Sequence, residues 1–156
     1  MPDYFRLTQK IADITDGIPA FTKEGIIVDL PKTGSIYVEE LSEGWHITSD
    51  IPVYPIPYGF TKEGIELTPE EYLESEGTLT RKERKILNDA FTGITIGEEH
   101  PHEDENTIHV HVNEYVPRSG LLSKIEQIAN AQIKAIAAFE KHNRDVTQKA
   151  LKVARQ

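Results

Sequence analysis

The chain predicts an α+β fold: an antiparallel β-meander of about six strands and a later hairpin, packed with short helices and one long C-terminal helix. Three observations predict it. Short runs of β-branched and aromatic residues alternate with glycine-ended turn units through residues 18–68, helix start and stop signals flank that region, and the last 38 residues carry one unbroken 3-4 apolar repeat. A length of 156 residues suits one domain. Two parts are expected within it. Residues 1–118 form a β-rich body with an N-terminal helix, and residues 119–156 form a helix packed on that body in its first half and overhanging in its second.

The N-terminal helix is read from Tyr4, Leu7, Ile11 and Ile14 at 3-4 spacing, with Asp3 placed to cap it and Gly17 placed as a left-handed terminator. Turn units follow at Lys23-Glu24-Gly25, Lys32-Thr33-Gly34, Ser42-Glu43-Gly44 and Lys62-Glu63-Gly64. A three-residue hairpin loop commonly closes on a left-handed residue, which glycine supplies without steric cost. Between the turns lie Ile26-Ile27-Val28, Ser35-Ile36-Tyr37-Val38 and Trp45-His46-Ile47-Thr48, the last two alternating with period 2. The run Pro52-Val53-Tyr54-Pro55-Ile56-Pro57 is read as an edge strand or extended connection, because proline removes ladder donors.

One hexapeptide occurs twice, Phe21-Thr22-Lys23-Glu24-Gly25-Ile26 and Phe60-Thr61-Lys62-Glu63-Gly64-Ile65, each preceded by an Ile-Pro pair. It is either one hairpin tip used twice, with Phe and Ile packing across the turn, or a pair of loops that contact one partner. The candidate binding surface drawn from it comprises Phe21, Lys23, Phe60 and Lys62 with the neighbouring Trp45, Tyr54 and Tyr58. Aromatic residues beside prolines offer rigid contact area.

Thr68-Pro69-Glu70-Glu71 opens a further helix that stops by Gly77, and Thr80-Arg81-Lys82-Glu83 opens another to about Phe91, ended by Gly93. From Ser119 onward there is no proline, and positions 122, 125, 129, 132, 136, 139, 143, 146, 150 and 153 keep 3-4 spacing with eight of ten apolar. A helix of about 55 Å outruns a body of about 35 Å diameter. The tail is also basic. Seven basic and three acidic residues follow Leu121, against ten and 23 in the rest of the chain. Ile136, Phe139, Asn143, Val146, Ala150 and Val153 are therefore expected to mediate self-association, with Asn143 setting register.

Composition removes several function classes. There is no cysteine, hence no disulfide, thiolate catalysis or cysteine-bound metal. A net charge of −9 argues against wholesale phosphate-backbone binding, and the basic residues of the tail lie on several faces. No run approaches the ~20 apolar residues of a membrane span. The acidic N-terminus lacks a secretory plan, so a soluble, cytoplasmic protein is expected. Phosphate-loop, dinucleotide, nucleophile-elbow and metalloprotease motifs are missing from the sequence.

Histidines carry the enzymatic alternative. On Thr107-Ile108-His109-Val110-His111-Val112-Asn113, alternation places His109, His111 and Asn113 on one face. Two such histidines, completed by His100, His102 or an acidic neighbour, would hold a divalent metal with an open position, as in a metal-assisted hydrolase. The same patch would respond to pH near 6 if it were metal-free. His46-Ile47-Thr48 resembles one half of the paired His-x-Thr/Ser signature of the 2H phosphoesterases. That resemblance covers three residues and implies His46 and His109 as a general acid–base pair, although His109-Val110-His111 lacks the hydroxyl residue.

The leading expectation is non-enzymatic: an oligomeric binding or assembly protein with itself and another protein as partners and no resident cofactor. It would suit a structural or accessory component of a larger particle, including a viral or mobile-element one, and a virion location.

Overall fold

The computed structural model describes residues 4–23, 25–31, 34–53, 81–99 and 108–154. Helix α1 (Tyr4–Thr15) leads into strands β1 (Ile18–Phe21), β2 (Gly25–Asp29), β3 (Ile36–Glu40) and β4 (Gly44–Val53). Helix α2 (Arg81–Ala90), strands β5 (Ile96–Glu99) and β6 (Ile108–Pro117), a 3-10 turn over Arg118–Gly120 and helix α3 (Leu121–Ala154) complete the order. Among these residues the α+β architecture is as expected. Asp3, the helix expected over 68–77 and the second hexapeptide fall outside the described residues, as do Tyr54, Tyr58, Phe60, Lys62, His100 and His102.

The six strands form one antiparallel sheet in the order β1-β2-β3-β4-β6-β5. The first four run as a meander. The later hairpin then turns back, so that β6 pairs along all ten residues of β4 and β5 becomes the edge. Pro52 is a correction. It lies in β4, a central strand, opposite His109. Among the described residues β3 pairs with β4 only as far as Ser49, so Pro52 sits where β4 has β6 alone as neighbour.

Register assigns the faces. Ile26, Val28, Ile36, Val38, Trp45, Ile47, Ile51, Val110 and Val112 point to one side and are buried. Against them pack Ile11 of α1, Leu87 of α2 and the inner line of α3. Helix α3 touches α1, α2, β4 and β6, so the helices cover one face of the sheet.

Two local expectations are corrected. Gly17 is not the left-handed residue after α1; Asp16 is, at φ 55°. Asp16 N–H still donates to the Ala12 carbonyl at 2.9 Å, and Gly17 N–H donates to Thr15 Oγ1 at 3.0 Å, which closes the helix end. The turn glycines also serve another purpose. Among the described glycines only Gly93, after α2, has positive φ, at 79°. At Gly25 and Gly44 a Cβ would lie 1.8 Å from the Val38 carbonyl and 2.2 Å from the Val116 carbonyl. These glycines let neighbouring strands approach closely.

The buried face of α3 follows the expected stripe through Phe139 and then takes in His142, one residue before the expected Asn143. Its buried residues include Leu121, Ile125, Ile128, Ala129, Gln132, Ala135, Phe139 and His142, so Ile125, Ala129, Gln132 and Phe139 of the expected stripe are buried and Leu122 and Ile136 pack beside them. Polar residues hold two places on it because each has a specific partner. Gln132 Nε2 donates to Ser49 Oγ, and Ser49 donates to the Ser35 carbonyl at 2.8 Å, tying α3 to the sheet. His142 faces Glu83 of α2.

Candidate functional site

The sheet face turned away from the helices collects the chain's polar chemistry. Alternation on β3, β4 and β6 places Tyr37, Glu39, His46, Thr48, Asp50, His109, His111, Asn113 and Tyr115 there. The expected sharing of one face by His109, His111 and Asn113 is observed. Asp50 lies directly opposite His111, and its two carboxylate oxygens reach His111 Nδ1 at 3.3 Å and His109 Nδ1 at 3.4 Å. One carboxylate thus bridges two imidazoles. His46 lies on Tyr115 with ring centroids 4.2 Å apart and planes 3° from parallel. Its Nε2 donates to Asn113 Oδ1 at 2.6 Å, and its Nδ1 faces Glu39 at 3.7 Å.

This geometry corrects the acid–base pairing. His46 lies opposite Tyr115, whereas His109 lies opposite Pro52, six residues farther along β4. At ~3.3 Å per residue the two rings are about 20 Å apart, too far to serve one phosphate. Among the described residues no group of three histidines or carboxylates is arranged to hold a metal ion. His109 and His111 instead direct their Nδ1 atoms at one carboxylate.

The first hexapeptide borders this face. Phe21 and Ile26 lie opposite each other across the turn, and Thr22 N–H donates to the Gly25 carbonyl at 2.8 Å. Phe21 is exposed and meets Tyr4 edge-on at 5.6 Å, and Tyr4 meets Trp45 edge-on at 6.4 Å. Lys23 overhangs a shallow depression of about 570 Å³ floored by Tyr37, Glu39, His46 and Thr48. Trp45 does not belong to that surface. It is only 3% exposed and lies in the core on the opposite side of β4. Period 2 separates it from His46, which is the member of that pair facing outward.

Tyr4 is also held by charge. Its hydroxyl donates to Glu40, whose other oxygen meets Arg118 Nη1 at 3.3 Å. The hydrogen bond to Glu40, followed by burial, pushes the Tyr4 phenol up to about 12. Arg118 Nη2 also donates to the Leu41 and Ser42 carbonyls, at 3.3 and 3.2 Å. The cluster pins α1 and the β3–β4 turn to the end of β6.

The expected self-association residues divide. Phe139 is buried in the protomer's own core, and Ile136 is half-buried against it, so neither is a free surface. Asn143 is half-buried. Val146, Ala150 and Val153 belong to α3, but their side chains lie outside the described residues. Every described side chain beyond Asn143 is exposed, including Leu151 at 46%. Upstream, Ile133 is 53% exposed. It borders a groove of about 540 Å³ with Ile136, Ala137 and Glu140 of α3, Thr15 at the end of α1 and Asp16 after it, and Leu30 and Pro31 after β2.

Where α2 crosses α3, Glu83 is wholly buried and His142 is 8% exposed, with Nε2 3.9 Å from Glu83 Oε2. Burial, then the nearby Lys82 charge, pulls His142 below its usual value, while Asp145 opposes them. Sequence reading missed this pair, because Glu83 looked like a capping residue and His142 fell off the apolar stripe. Asp50 and Glu39 were missed for lack of register, which alone places them beside histidines. Among the described residues no helix is long and apolar enough to cross a membrane. Comparison with protein-family models, curated proteins and solved structures finds no match to this chain, so its function must be argued from its own residues.

Proposed function

We propose that this is a non-enzymatic binding or assembly protein that self-associates through its C-terminal helix. The observation that carries the reading is the shape of α3. Its 34 residues extend about 51 Å, and past Asn143 every described side chain faces solvent. A helix end of this length is marginal unless packed. Charge supports a second copy as the packing partner, since the basic tail of one chain would meet the acidic body of another.

Sedimentation of the full chain tests this against a chain lacking residues 146–156, a deletion that leaves His142 and Asn143 in place. The full chain is expected to be oligomeric and the shortened one to dissociate, with circular dichroism confirming that both are folded. A full chain that stays monomeric at high concentration overturns the proposal. Native mass spectrometry with a chelator addresses the enzymatic alternative. A stoichiometric metal lost from the His109→Ala/His111→Ala variant would favour a hydrolase instead.

A further inference from the structure

We infer that a second copy of α3 packs antiparallel on the face of α3 carrying Ile133, Ala137, Glu140, Arg144 and Leu151, about a two-fold axis level with position 142. This rests on the self-association reading above and names its surface and register.

All five side chains are exposed. With Thr147 they occupy positions 133, 137, 140, 144, 147 and 151, which keep 3-4 spacing and so form one stripe along the helix. The stripe reads self-complementarily. Positions 133 and 151 are equidistant from 142, as are 137 and 147, and 140 and 144. An antiparallel pair centred there sets Ile133 opposite Leu151 of the second copy, Ala137 opposite Thr147, and Glu140 opposite Arg144. Each contact occurs twice, as an isologous interface requires. Apolar ends, a small middle and two opposite-charge pairs leave no like charges facing each other along the stripe.

The groove beside the stripe is the second observation. It is bounded by Leu30, Pro31 and Asp16 of the body and by Ile133, Ala137 and Glu140 of α3. A partner helix in the inferred register lays residues 144–151 along that groove. Its Leu151 reaches the exposed Ile133, and its Arg144 reaches Glu140. His142 points the other way, into the protomer, so the axis position leaves no buried histidine in the interface. The overlap of positions 133–151 is about 27 Å per helix. An overhang marginal on one body is thereby packed on the other.

Charge exchange and crosslinking test the register. Glu140→Arg and Arg144→Glu, made singly, each create two like-charge contacts and should weaken self-association roughly tenfold. The double exchange restores the pairs and should return affinity to near the original value, with low salt sharpening the contrast. Because the chain has no cysteine, Ile133→Cys/Leu151→Cys should form an oxidised covalent dimer through both bridges, whereas each single variant should not. If removing residues 146–156 dissociates the oligomer while the exchanges and bridges have no effect, self-association stands and this register is wrong. If the full chain is monomeric, both readings fall.

Discussion

The two faces of the sheet are made by the same strands and share one register, yet they are held together differently. On the covered face Ile47, Val38 and Ile51 are buried in the core beneath the helices, and Gln132 donates to Ser49, which donates in turn to the Ser35 carbonyl. On the open face nearly every contact is polar or aromatic and partly solvated: Asp50 between two histidines, and His46 between Tyr115, Asn113 and Glu39. Stability belongs mainly to the first face, because apolar burial scales with area removed from water, whereas exposed ion pairs gain little. The second face is where chemical groups can be changed at low cost, and so where a binding specificity could be written.

The largest contrast should come from truncating the covered face. Ile47→Ala removes a wholly buried side chain from the middle of β4 and is expected to cost roughly 3–4 kcal/mol in chemical denaturation. A cost below about 1 kcal/mol would mean that α3 does not sit on this face in solution. Strand approach comes next. Gly25→Ala places a methyl group against the Val38 carbonyl and should cost about 2–3 kcal/mol. Gly97→Ala, on the edge strand with open space at its Cβ, should stay within about 0.5 kcal/mol. Equal effects would show that β2 and β3 can separate freely.

How much of this was legible in the sequence follows from the same division. Period 2 is local, so the inward set Ile36, Val38, Ile47, Val110 and Val112 could be read directly, as could the antiparallel meander and the long helix. Partnerships across strands were not legible. Asp50 looks unremarkable until pairing places His111 opposite it and His109 one step diagonal, and that pairing requires β6 to insert between β4 and β5. Trp45 was misassigned although it shares the period-2 phase of Ile47, because large aromatic residues suit both interfaces and cores. On α3 the apolar repeat located the helix and its buried face through Phe139, and missed only the turn beyond, where His142 is buried. Gln132 and His142 are buried by partners on other elements, and no window of sequence contains those partners.

The covered layer should also respond to acid. His142 is held below its ordinary value by burial and by Lys82, so the folded state resists the proton that the unfolded chain accepts. Its contribution is therefore present above the unfolded value near 6.5 and is lost as pH falls below it. Glu83 of α2 and Asp145 of α3 are the carboxylates near it. The His142→Gln variant should show a flatter fall in stability between neutral and mildly acid pH. Unchanged slopes would place the acid sensitivity on other groups.

The smallest effect is expected on the open face. Tyr115 is 67% exposed and contributes a stack on His46 and a cross-strand contact, so Tyr115→Ala should cost no more than about 1 kcal/mol. What makes the measurement useful is its upper bound. An exposed ring cannot match a buried isoleucine, because most of its surface stays in water in both folded and unfolded chains. If Tyr115→Ala nevertheless approached the cost of Ile47→Ala, the face would have to be covered in solution. The size of the excess would then report the area that covers it. A small cost leaves His46, Asp50, His109 and His111 on a surface open to a partner, with the stability of the fold residing on the other side of the same strands.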